Sequence, residues 1–328
     1  MNVISASRRT DIPAFYSEWL MNRIRDGYVR WMNPFSKAIY EVSLRPEDVS
    51  AIVFWSKNYL PLLPYLDELD AGGYRMVFHF TITGLPRVFE PRVPDLAELV
   101  ECARILSHRY GDESVLWRYD PVLISSITDG HYHLGCFREL CGALESVVKQ
   151  CYFSFAIFYG KALRNTEKLE SDTGIACYDL PRDDRIALAN ALAEIAADHG
   201  IEMHSCCGDY LVGGRIKKAH CVDAELLQRL FPDSVGYLAE RPTRQECGCY
   251  ESKDIGTYGT CPHGCVYCYA NTNIQTALRS YERHDPGSDI LGRSIPVLSM
   301  ESPVEREKHS DAHDLRLDLF PPGSANGK

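Results

Sequence analysis

Three cysteines, Cys261, Cys265 and Cys268, stand in the run from Thr260 to Ala270 with three and then two residues between them. Three thiolates on one tight loop can grip a 4Fe-4S cube while leaving its fourth iron open. An open metal position is what separates a reactive centre from a closed structural one. Pro262 and Gly264 let the backbone turn so that the sulfurs converge without a regular helix, and Tyr267 stands immediately before the last cysteine. The competing chemistry is a zinc knuckle, in which His263 or a member of the Cys247-Gly248-Cys249 run closes a tetrahedral site with the same three thiols. Spacing does not separate the two.

Four more cysteines, Cys206, Cys221, Cys247 and Cys249, fall in the same C-terminal third. Four soft ligands saturate a metal centre, so they are expected to hold an auxiliary iron–sulfur cluster, with structural zinc as the rival. Cys207, adjacent to Cys206, can take its place. The remaining five, Cys102, Cys136, Cys141, Cys151 and Cys177, sit in helix-like or strand-like runs and read as buried free thiols.

The loop pattern C-x3-C-x-aromatic-C resembles the signature of the radical S-adenosylmethionine enzymes. That resemblance implies a cluster whose open iron chelates the amino and carboxylate groups of S-adenosylmethionine. It also implies one-electron cleavage of that molecule to methionine and a 5′-deoxyadenosyl radical, with the cofactor carrying the hard chemistry. Further stretches extend the likeness: Ile4 to Pro13, Asn33-Pro34-Phe35, Phe54 to Asn58, Trp117 to Pro121, and Cys247 to Asn271. Together they resemble a bacterial and archaeal family, domain of unknown function eighteen forty-eight, regarded as relatives of the radical enzymes and sometimes compared with DNA-repair photolyases. The resemblance implies an enzyme that abstracts hydrogen from a substrate and draws on an external electron donor. It does not choose among a small molecule, a peptide and a nucleobase-containing substrate. The chain departs from most of that superfamily by carrying its cysteine loop last rather than after the first strand. Two other classes stay open: an electron carrier or redox sensor in which Cys247 or Cys249 closes the first centre, and a zinc-stapled binding protein.

Elements must bring these residues together. Strand-like runs are expected at 3–5, 51–55, 76–83, 115–119, 151–158 and 201–205, and helix-like stretches at 14–26, 95–110, 132–149, 182–199 and 274–283. Their alternation predicts parallel strands joined by crossovers, in a partial or complete β/α (TIM-like) barrel. Such barrels place active sites at the C-terminal strand ends. The candidates there are Ser7, Arg8, Arg9, Thr10 and Asp11, then Lys57 and Asn58, Thr81 and Thr83, Arg118 and Asp120, and Tyr159 and Lys161. Arg8, Arg9 or Arg118 suits the carboxylate of S-adenosylmethionine or of a substrate, because a guanidinium pairs with a carboxylate through two hydrogen bonds. Ion pairs Arg118–Asp120 and Arg9–Asp11 are the structural alternative. His79 and His204 read as hydrogen-bonded core histidines, and His263 as a residue that bonds a sulfide or faces solvent.

Residues 1–205 form the expected barrel core, 206–293 a cysteine-rich cluster-binding segment at its mouth, and 294–328 a polar, partly mobile tail. A hydrophobic content of 45% over 328 residues suits a soluble globular protein. No apolar run is long enough to span a bilayer and no secretion signal opens the chain, so a cytoplasmic location and reduced cysteines are expected. The net charge of −10 argues against broad electrostatic binding to nucleic acid.

Overall fold

The computed structural model describes residues 1–33, 36–158 and 160–293, and the backbone of Val304–Arg306. The chain runs β1 (Asn2–Ala6), α1 (Ile12–Phe15), α2 (Ser17–Asp26), β2 (Tyr28–Met32), β3 (Ile39–Ser43), β4 (Val49–Ser56), α3 (Leu66–Ala71) and β5 (Met76–Thr81). It continues through α4 (Leu96–Tyr110), β6 (Val115–Val122), α5 (Gly130–Leu144), β7 (Gln150–Phe155), α6 (Gly160–Thr173), α7 (Arg182–Asp198), β8 (Glu202–Ser205) and β9 (Ile216–Lys218). Last come α8 (Ala224–Leu230), β10 (Lys253–Asp254), α9 (Ile274–Glu282) and β11 (Val304–Arg306).

Eight strands form one parallel sheet in the order β10-β1-β4-β5-β6-β7-β8-β9. From β1 to β9 each strand of this sheet lies beside its predecessor, the arrangement that strand and helix alternation predicts. Among the described residues β9 and β10 do not pair, so the hydrogen bonding leaves two edges. A smaller sheet, β11-β3-β2, stands beside it.

Side chains alternate across each strand, and the two faces differ. One face carries Ile52, Phe54, Phe78, Phe80, Trp117, Tyr119 and Phe153, packed against Trp19 and Leu20 of α2, Leu99 and Leu106 of α4, Phe137 of α5 and Leu192 of α7. The other carries Val3, Ala51, Val53, Val77, Leu116 and Tyr152, covered by Cys206, Cys221, Val222, Leu226 and Cys249. The cysteine-rich segment thus supplies the second hydrophobic layer of the sheet and does not simply cap one end.

Local chemistry sets the element ends. Asp95 and Glu98 form a capping box at α4, Asp129 accepts from Tyr132 N–H at α5, and Gly27 ends α2 in the left-handed region. The single helix expected at 14–26 is two, broken at Tyr16, whose φ of −134° is not helical. The strand expected at 151–158 ends at Phe155, and the helix expected at 132–149 covers Gly130–Leu144. The β2–β3 hairpin, β9, α6 and α8 were not foreseen, because their runs are short or polar. Tyr159 and, apart from the β11 backbone, the tail from residue 294 lie outside the described residues. Among the described residues no helix is long and apolar enough to cross a membrane.

Phe78 is fully buried in the centre of the sheet and stacks on Phe54 with ring centroids 5.6 Å apart. Phe78→Ala is expected to cost about 3–5 kcal/mol through lost burial and the cavity left behind. Urea unfolding checks this, and a loss under about 1 kcal/mol would contradict the packing described.

Candidate metal centres on one cavity

Asp11 caps α1 by accepting from Ala14 N–H at 3.0 Å, and it also accepts from Ser56 Oγ at 2.6 Å and Lys57 N–H at 2.8 Å. Its remaining partner is His263 of the cysteine loop, whose Nε2 lies 2.7 Å from Oδ2. His263 is therefore neither solvent-facing nor aimed at a sulfur: it ties the loop to the ends of β1 and β4. Tyr16 Oη donates to Thr260 O at 2.6 Å, Asn271 Nδ2 to Cys261 O at 2.7 Å, and Val266 N–H to Phe89 O at 3.0 Å. Gly264 makes the turn between the first two cysteines at φ +77°, where a side chain would be strained.

Burial pushes the thiols of Cys261, Cys265 and Cys268 above their ordinary range. Backbone N–H groups of Asn271 and Ala270 and the Lys161 and Lys57 ammonium groups work the other way at Cys268. A metal held by these thiols would have to displace their protons, which neutral to alkaline conditions favour. Lys57 Nζ is 2.8 Å from Glu90 Oε1, and Glu90, itself buried, also accepts from Thr83 Oγ1 at 3.0 Å and from Tyr267 Oη. Burial disfavours the Lys57 ammonium, but Glu90 and Cys265 outweigh it and hold its pKa above the usual value.

A second set of thiols lies nearby. Cys206 Sγ is 3.5 Å from Cys221 Sγ, and Cys207, Cys247 and Cys249 line the same cavity. Arg118 Nη1 donates to Cys221 Sγ at 3.3 Å, and Arg244 Nε to Cys207 Sγ at 2.8 Å. Arg118 also pairs with Asp120, which takes a further hydrogen bond from Ser154.

Arg9 does not pair with Asp11. It lies 3.8 Å from Asp254, which accepts from Ser7 Oγ at 2.7 Å, Ser5 Oγ at 3.0 Å and Arg8 N–H at 2.9 Å. Gly256 is required beside this carboxylate because a Cβ there would overlap Ser7. Arg8 reaches Ser252 Oγ at 3.0 Å and lies over the Trp55 ring, which stacks on His79 with centroids 4.2 Å apart. His79 is fully buried and its Nε2 lies 2.6 Å from Cys221 O, a core histidine as expected.

One cavity of about 1030 Å³ joins all of this. Arg8, Arg9, Asp11, Lys57, Thr81, Arg118, Asp120 and Lys161 line it, together with Cys261, Cys265, Cys268, Cys206, Cys221, Cys247 and Cys249. It exceeds the about 300–1,000 Å³ of ordinary small-molecule pockets. Of the other strand-end candidates, Ser7 and Thr10 also line it, while Thr83 acts through Glu90. Among the described residues no three His, Cys, Asp or Glu side chains form a ready cage for one metal ion. Four thiolates about 2.3 Å from one zinc ion stand about 3.8 Å from one another, close to the Cys206–Cys221 separation of 3.5 Å. Cys102, Cys136, Cys141, Cys151 and Cys177 are free thiols away from these groups, and burial raises all five.

Sequence reasoning missed Asp254, Glu90 and Arg244. Arg244 carried a signal, standing three residues before Cys247, but nothing in the runs around Glu90 or Asp254 marks them.

Burial raises the Asp254 carboxyl, but Arg9, Arg8 and the hydroxyl and N–H donors outweigh it and hold its pKa below the usual range. The stability it contributes is therefore complete above the ordinary carboxylate pKa near about 4, and is lost as pH falls through the lowered native value. Asp254→Asn is expected to be less stable than wild type at neutral pH, with the gap closing on acidification. Urea unfolding along a pH series checks it, and a gap that widens in acid would contradict the assignment.

Comparison with curated proteins and with solved structures returns no match. A family model described as a domain of unknown function, DUF1848, matches residues 3–270, which span both thiol groups and the strand ends between them. The chain belongs to the DUF1848 family.

Proposed function

We propose that the protein is a radical S-adenosylmethionine enzyme, with Cys261, Cys265 and Cys268 holding an open 4Fe-4S cluster. The observation that carries this reading is the meeting of those three thiols with strand-end cations on one cavity wall system, in a chain whose global charge is −10. The parallel sheet is read as a partial β/α barrel whose C-terminal strand ends face that space. When bound, the cluster supplies one electron that splits S-adenosylmethionine into methionine and a 5′-deoxyadenosyl radical, which takes hydrogen from substrate.

The chain's own residues bind, orient and screen. Arg8 Nε and Thr10 Oγ1 are buried without a hydrogen-bond partner among the described residues, so a polar ligand in the cavity would satisfy them. Arg8 suits a carboxylate, as does Lys161 near Cys268. The Lys57 ammonium, held by Glu90, offsets negative charge beside Cys265. Trp55, Tyr258 and Tyr269 offer ring faces for a planar group and exclude water. An external one-electron donor is required, and the substrate stays chemically open among small molecules, peptides and nucleobases.

Anaerobic reconstitution with iron and sulfide, followed by reductant and S-adenosylmethionine, is expected to release 5′-deoxyadenosine. Cys265→Ala should abolish that release while leaving the far-ultraviolet circular dichroism unchanged. Release undiminished in Cys265→Ala, or none from a fully loaded wild-type protein tested with cell extract as a source of substrate, would refute the reading. An electron paramagnetic resonance signal indifferent to S-adenosylmethionine would favour the closed electron carrier instead.

A further inference from the structure

Basic side chains outnumber acidic ones along the cavity wall by ten to five, whereas the whole chain holds 35 Lys and Arg against 45 Asp and Glu. The cavity therefore concentrates positive charge in an acidic protein. Several of these cations are already answered: Arg118 pairs with Asp120, Lys57 with Glu90 and Arg185 with Asp179. Arg8 and Arg9 are not answered in full, because one carboxylate serves both. Asp254 lies 3.8 Å from the Arg9 guanidinium and accepts from the backbone N–H of Arg8. Among the described residues the Arg8 guanidinium itself has no carboxylate within ion-pair distance.

That guanidinium is held in place without being satisfied. Its Nη2 donates to Ser252 Oγ at 3.0 Å and the group lies over Trp55, 5.2 Å from the ring centroid, while its Nε is buried with no hydrogen-bond partner among the described residues. Thr10, two residues further on, is 6% exposed, and its Oγ1 is likewise buried and unpartnered. Both residues line the cavity. A buried donor without an acceptor is destabilising, more so when it carries charge, so the end of β1 calls for an acceptor from outside the chain. The acceptor that suits a planar, fixed guanidinium is an oxyanion.

S-adenosylmethionine does not supply it. In the reading proposed above, on which this inference rests, the carboxylate of that molecule goes to the open iron, and its sulfonium is a cation. The negative charge of a cube on three thiolates falls beside Lys57 and Lys161, whose ammonium groups act on Cys265 and Cys268. We propose that the substrate is a small anion, a phosphorylated or polycarboxylate metabolite, whose oxyanion is bound by Arg8 with Thr10 as a second donor at the end of β1. A long polyanion such as nucleic acid fits less well, because the surface outside the cavity is acidic on balance and would repel it.

The test reads binding to the full chain, loaded anaerobically with ferrous iron and sulfide, by titration calorimetry at constant ionic strength. Glycerol 3-phosphate and succinate are the probes. At least one is expected to bind where chloride does not, the first marking a phosphorylated substrate and the second a carboxylate one. Arg8→Gln should weaken that binding about tenfold or more, and Arg8→Lys should keep part of it. No binding of either probe to wild type, or the same affinity in an Arg8→Gln protein that keeps its circular dichroism, would overturn the proposal. Should Arg8→Gln not fold, Thr10→Val carries the test: it is expected to weaken binding, and unchanged affinity would count against the site. Release of 5′-deoxyadenosine without anion binding would sink this proposal alone, whereas anion binding at Arg8 without release would uphold the site and sink the radical reading.

Discussion

The carboxylate of Asp11 is the constraint on which the site depends. It gathers an α1 N–H, the Ser56 hydroxyl, the Lys57 N–H and the His263 ring into one point, joining the ends of β1 and β4 to a loop that arrives more than two hundred residues later. Removing one of those partners leaves the others able to satisfy the oxygens, whereas removing the carboxylate frees all of them at once. A buried anion with four directed donors is therefore worth more to the position of the cysteine loop than any apolar contact of the same size.

Asp254 repeats the device at the other C-terminal segment. It accepts from Ser5 of β1 and from the Ser7 hydroxyl and Arg8 N–H that follow, and it sits in the two-residue strand β10, too short to dock on its own pairing. Polar anchoring thus replaces hydrogen-bonded ladder length at the sheet edge where the cavity opens. The hydrophobic layers are the more ordinary part: helices on one face, the segment from Cys206 to Cys249 on the other.

The central strands were legible because their runs are rich in branched and aromatic residues over five residues or more, and the helices α4 and α7 because their periodicity is long. The hairpin β2–β3 was hidden by its mixed polarity, and α6 by its many charges. At the site, cysteine spacing pointed to both thiol groups, and strand ends pointed to Arg8, Lys57 and Arg118. The pairing pattern was not readable: Arg9 pairs with Asp254 and not with Asp11 two residues along the chain, and Glu90 organises Lys57, Thr83 and Tyr267 from an irregular loop. Such choices depend on which distant segments fold into contact, and a single sequence does not encode that as a local signal.

The order of the chain gives the Asp11–His263 tie a temporal meaning. During synthesis the parallel strands and the helix-covered layer can form while the cysteine loop is still being made. The acceptor on Asp11 can take its His263 partner only once that later segment has been made. Contacts between segments so far apart in the chain carry a loop-closure cost that slows folding in general.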